Sequence, residues 1–196
     1  MSPFKSTSDL IANGASLFLG IVFAGGGMSK LFAEHAFPGV MGPVWLEEEL
    51  AKYGLGFFAQ GVAYAQAIAG FVLFTLMLRT IGALLLMPML VSMLLVTISM
   101  DWRGTPYVIA FFIAVDLLIL LVDRRRFAPL LGRSVTEPNA IRTVDLLIWS
   151  AGLVIFIGSA ALSHFSLLLG HLAALAGCVL GFWAFRNHRS QIRSTA

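Results

Sequence analysis

Six apolar runs dominate this chain: Leu10–Phe32, Leu55–Leu78, Ile81–Met100, Pro106–Val122, Leu146–Leu162 and Phe165–Phe185. Each is close to the roughly 20 residues a helix needs to cross the hydrocarbon core of a bilayer. In that medium every backbone N–H and C=O must be bonded within its own segment, which leaves the α-helix as the practical fold for such runs. The expected architecture is all-α, a polytopic transmembrane bundle of six helices. The fourth and fifth runs are short and must stand nearly upright. Composition agrees: 59% of the residues are hydrophobic and 12% charged, against about half and about a quarter in an ordinary soluble domain. The first run is too long for the apolar region of a cleavable signal, and no small-x-small cleavage site follows it, so it reads as a retained helix.

The basic residues set the expected orientation. Six crossings put both termini on one side, with Lys5, Arg79, Arg124, Arg125, Arg126, Arg133, Arg142, Arg186, Arg189 and Arg193. The other side receives only Lys30, Lys52 and Arg103, together with Glu34, Glu47, Glu48, Glu49 and Asp101. The bias predicts a bacterial-type inner (plasma) membrane protein with cytoplasmic termini. It also accounts for the formal charge of +3 without a nucleic-acid partner, which would need a clustered basic face on a soluble module. The single cysteine, Cys178, lies inside an apolar run and permits no disulfide, CxxC pair or zinc site within one chain.

The stretch "AGGGMSKLF" at residues 24–32 has the glycines and lysine of a phosphate loop but neither the GxxxxGK[ST] spacing nor a preceding strand. Gly20, Ala24, Gly25, Gly26, Gly27 and Ser29 instead offer a small surface for close helix approach in lipid. Lys30 near the end of that run either snorkels to the interface or faces inward to bind an anion or a carbonyl or quinone oxygen. Gln60 and Tyr64 share a face of the second run at i, i+4, whereas Gln66 points elsewhere. Asp101 and Arg103 in "MDWRGTP" are placed to meet Lys30, Glu34 and His35 in an external polar cluster, either a solvated rim or a site. Asp116 lies inside an apolar run, where a carboxylate costs about 2.5–3.5 kcal/mol on insertion scales. It must face the bundle and be paired, hydrogen-bonded or protonated. Arg79, Asn13 and Ser16 lie nearest its level, and a structural polar contact is the preferred reading over a proton-carrying one.

Two connections stand out. Residues 34–53 form the main external loop, with a short helix in "VWLEEELAKY" that either caps the bundle or closes over a pocket; Trp45 and Tyr53 suit the membrane interface. Residues 123–145 form a cytoplasmic linker in which Arg124–Arg126 meet anionic lipid headgroups. His164 and His171 fall on nearly one helix, and His35 and His188 on opposite membrane sides, so a haem held between two histidines is not expected.

The first run, with Gly20, Phe23, Gly27 and Lys30 in "LFLGIVFAGGGMSKLF", resembles the DoxX-like and MauE-like membrane proteins, as do Arg79 entering "LRTIGALLLMPMLVSMLLVTIS" and the closing "DRRRFAPLL". The likeness covers residues 10–131, so it divides the chain into a four-helix unit at 1–131, a linker at 132–145 and a C-terminal hairpin with a basic tail at 146–196. Two features depart from the family pattern. Ser16 or a neighbour stands where an arginine is frequent in the first helix, and "DWRGTP" stands where the MauE type often carries a cysteine pair. The second departure argues against thiol-disulfide exchange. The resemblance implies a membrane redox or assembly context.

The expected function is therefore that of an integral membrane accessory protein supporting quinone-linked redox chemistry, either without enzymatic activity of its own or as a subunit of an oxidoreductase. Its candidate ligand-binding residues are Lys30, Gln60, Gln66, Asp101, Arg103 and Asp116. The expected partners are membrane lipids and a membrane or periplasmic redox protein, with quinone as the ligand and neither haem nor zinc. A scaffold or assembly chaperone is the alternative, and a small-solute or proton pathway through Asp116 a further one.

Overall fold

A computed structural model of the chain describes residues 7–39, 45–125 and 141–194. It is all-α among these residues: α1 (Thr7–Leu31), α2 (Trp45–Ala51), α3 (Gly56–Phe74), α4 (Arg79–Ser99), α5 (Thr105–Val122), α6 (Thr143–Ser163) and α7 (Leu167–Ser194), with one 3-10 turn at Ala33–His35. Six of them, all but α2, are long and apolar enough to cross a membrane. They match the six apolar runs with shifts of a few residues. The largest departures are at α3, which stops at Phe74 rather than Leu78, and at α7, which continues nine residues past Phe185. The break after α3 is marked by Leu76 in a left-handed conformation (φ 60°). Arg126 and most of the linker, including Arg133, lie outside the described residues.

The ends of the bundle differ in character. The tail end carries the start of α1 and the end of α7; the loop end carries residues 33–39 and 45–55 and the turns after α4 and α6. α1 packs on α3 and α5, α4 on α3 and α5, α6 on α3 and α1, and α7 chiefly on α6. This places α1 and α3 at the centre. About half of each is buried (56% and 50% of the spanning window), against 22–33% for the other four.

Small residues explain why those two helices meet. A Cβ added to Gly27 would lie 2.6 Å from the Ala63 carbonyl oxygen and 2.5 Å from the Ala67 nitrogen, and one on Gly20 would strike the Phe74 backbone. Gly70 answers from α3, where a Cβ would overlap the backbone of Ala24. Apolar side chains gain little from leaving lipid for protein, so such backbone proximity supplies much of the association energy. Part of the same glycine-rich stretch also receives the loop: a Cβ on Gly39 would meet the Ser29 side chain at 2.8–2.9 Å. The α6–α7 hairpin repeats the device, with Gly152 and Gly177 each set against the other's carbonyl oxygen.

The hairpin is fastened to the other four helices at two levels. Near the tail end the Trp149 indole N–H donates to Thr75 Oγ1 at 2.8 Å, and Thr75 in turn donates to the Phe71 carbonyl at 2.9 Å. Near the loop end Phe32 and Phe37 enclose His171, with ring centroids 5.1 and 6.0 Å away.

Candidate functional site

The tail end is closed by a buried ionic network. Arg79 starts α4 and Asp123 follows the last residue of α5. Each therefore sits at the helix end whose dipole disfavours its charge. They are held by a bidentate contact, Nε to Oδ2 at 2.9 Å and Nη2 to Oδ1 at 2.5 Å. Thr80 Oγ1 donates to Asp123 at 2.7 Å, and Arg79 also reaches Asn13 and, at 3.5 Å, Asp9 on α1. The network joins α1, α4 and α5 and leaves little of either main partner in contact with solvent. A second carboxylate, Asp145 on α6, is fully buried and receives Arg142 at 3.2 Å and Asn187 of α7 at 2.7 Å.

The loop end is open. Gly27 lies opposite Ala63 and Ala67; from that level α3 continues upward by about 10–15 Å to Gly56, but α1 by only about 6 Å to Leu31. The turn between α6 and α7 meets the short end of α1, where the Ala33 N–H donates to Ser163 Oγ at 3.0 Å. The resulting step holds a cleft of about 560 Å³. Lys30, Phe32, Glu34 and His35 line it from α1 and the 3-10 turn, Gln60 and Tyr64 from α3, Glu48 from α2 and His164 from the turn before α7.

Lys30 faces inward rather than snorkelling. Its Nζ donates to Gln66 Oε1 at 2.8 Å, and Gln66, only 6% exposed, points its amide nitrogen at Met93 Sδ 3.8 Å away. The last turn of α1 and the amide oxygen both favour an ammonium there. Glu34 and His35 are held at φ 54° and 56°, a conformation that is uncommon for residues other than glycine. His35 is anchored by Nδ1, 3.0 Å from the Ser29 carbonyl. Two consecutive left-handed residues on one cleft wall are the kind of local strain that collects at functional sites.

The expected site residues divide. Lys30 and Gln60 share the cleft, with Gln66 behind the lysine. Asp101 and Arg103 are exposed on the α4–α5 turn, are not among the residues lining the cleft, and make no side-chain hydrogen bond or ion pair among the described residues. Of the two readings of these residues, a solvated rim or a site with Lys30, their exposure agrees with the rim. Asp116 departs from expectation. Arg79 and Asn13 are committed to the Asp123 network, and Ser16 Oγ donates to the Leu73 carbonyl at 2.7 Å. Among the described residues neither of its carboxyl oxygens has a hydrogen-bond partner. His35 and His164, far apart in the chain, line the same cleft because α1 and the hairpin end at one level.

No family model matches the chain, and neither the curated proteins nor the solved structures contain a match to it.

Proposed function

We propose that this chain is an integral membrane accessory protein whose loop-end cleft holds the head group of a quinone-type ligand, in support of membrane redox chemistry. The observation that carries the reading is the Lys30 ammonium, fixed by a buried amide on the wall of a cleft of ligand size; small-molecule sites commonly measure about 300–1,000 Å³. Quinone head groups present carbonyl oxygens that accept hydrogen bonds. Lys30, the Gln60 amide, the Tyr64 hydroxyl and the imidazoles of His35 and His164 are donor groups among the described residues of its lining, and Phe32 and Leu31 supply part of its apolar surface. The resemblance of the first helix to DoxX-like proteins supports the same context. On this reading the termini face the cytoplasm and the cleft opens toward the opposite side of a bacterial-type inner membrane, as the distribution of arginines favours.

Native mass spectrometry of the detergent-extracted protein tests the proposal. Bound quinone is expected in the wild type, with occupancy lost in Lys30→Ala. An empty wild type that also fails to bind added ubiquinone or menaquinone in titration overturns it.

A scaffold or assembly role is favoured by one separate observation. The hairpin contributes only His164 to the cleft, while large apolar side chains of α6 and α7, including Val154, Leu168, Leu175 and Trp183, are exposed. Crosslinking through the hairpin then recovers one fixed membrane partner. Recovery of none removes this role.

A further inference from the structure

We infer that Asp116 is a proton-binding site in the middle of the bundle, held there for proton exchange and not for structure. It occupies the buried stripe of α5 formed by Ile109, Phe112, Asp116 and Ile119. It is 0% exposed, and neither carboxyl oxygen has a hydrogen-bond partner. The two elements that pack on α5 are α1 and α4. Their ionisable groups near the tail end, Asp9 and Arg79, are engaged with each other and, through Arg79, with Asp123. Asp123 is seven residues further along the same helix, about 10 Å away. Lys30, the other charged residue of α1, is held at the loop end by Gln66. α3 has no charged residue, and its Tyr64 lines the cleft.

A carboxyl facing the interior of a membrane bundle is paired, hydrogen-bonded or protonated. The first two states are absent among the described residues, which leaves the acid form, because an isolated carboxylate in such surroundings gives up its charge. An acid with no partner contributes nothing that an apolar side chain of similar size would not improve upon. The contrast with the other two buried aspartates is direct, since Asp123 and Asp145 each have a cation and a neutral donor. In the exchange Asp116 gives its proton to water admitted when the helices part, becomes a carboxylate, and recovers a proton before the bundle closes, with no redox partner.

Carbodiimide labelling of the full chain in membranes, read by peptide mass spectrometry, tests this. A carboxylic acid adds whole across the C=N bond of the reagent, whereas a carboxylate must first take up a proton. A hydrophobic carbodiimide is expected to modify Asp116 in preference to Asp123 and Asp145, with labelling that falls as pH rises and is lost in Asp116→Asn. A water-soluble carbodiimide is expected to leave it unmodified. Absence of labelling, labelling that does not change with pH, or equal labelling by the water-soluble reagent overturns the inference. Stability provides an independent arm. Asp116→Leu is expected to melt at or above the wild-type temperature in detergent, and a clear drop shows a structural role and overturns the proposal. Retained quinone in these variants keeps this result separate from the fate of the cleft.

Discussion

The tail end and the loop end of this bundle use cations in opposite ways. At the tail end Arg79 and Asp123 sit against their helix dipoles, and buried geometry binds each to the other, to Thr80 and to α1. At the loop end Lys30 sits with its dipole, is half-buried, and borders open space. An ionic group whose hydrogen bonds are filled by the protein stabilises and does little else. A cation that a buried amide holds on the wall of a cleft borders the space a ligand would fill. The comparison teaches that in this chain the conspicuous charge pair marks architecture and the less conspicuous lysine marks the candidate site.

The contrast can be broken at its strongest point first. Arg79→Ala leaves Asp123 buried without its main cation and should cost about 3–5 kcal/mol, read as a large fall in the detergent melting temperature. Arg79→Lys should recover only part of it, because one ammonium cannot reproduce the bidentate fork. A wild-type melting curve for Arg79→Ala would show that the network does not hold the helices together. Next in size is Gly27→Val, which drives a side chain into the α3 backbone; overpacking of this kind costs roughly 1–3 kcal/mol and should appear in the same assay.

Lys30→Ala sharpens the comparison from the other side. Loss of its hydrogen bond to Gln66 at a partly exposed position should cost about 1 kcal/mol, so the protein should remain folded while ligand occupancy falls. A stability loss as large as that of Arg79→Ala would make Lys30 a structural residue like its counterpart. Asp101→Ala and Arg103→Ala should have the smallest effect, within about 0.5 kcal/mol and with unchanged ligand occupancy, since neither side chain touches the cleft or a partner.

Helix existence was legible because periodicity hardly matters in lipid: length and apolarity suffice, and six runs became six helices. Gly20 and Gly27 were also legible as close-approach positions, since few other roles suit glycines seven apart within a membrane helix. Pairings between helices were not. Arg79 read as a topology marker and Asp123 as a helix end, and only the relative register of α4 and α5 brings them together. Lys30 and Gln66 are 36 residues apart, and their meeting depends on where Gly27 crosses Ala63 and Ala67. Asp101 and Arg103 read as either a solvated rim or a site, and they stand exposed on the α4–α5 turn, not among the residues that line the cleft. For Asp116 the sequence limited the carboxyl to three states, and choosing among them required coordinates for every possible partner.

The arginine at the start of α4 has a consequence for biogenesis. During synthesis Arg79 reaches the bilayer before the aspartate that neutralises it has been translated. Until α5 arrives its partners are Asp9 and Asn13 of α1, and the bidentate contact forms only when Asp123 follows, so these two segments are expected to leave the insertion machinery as one antiparallel pair rather than singly.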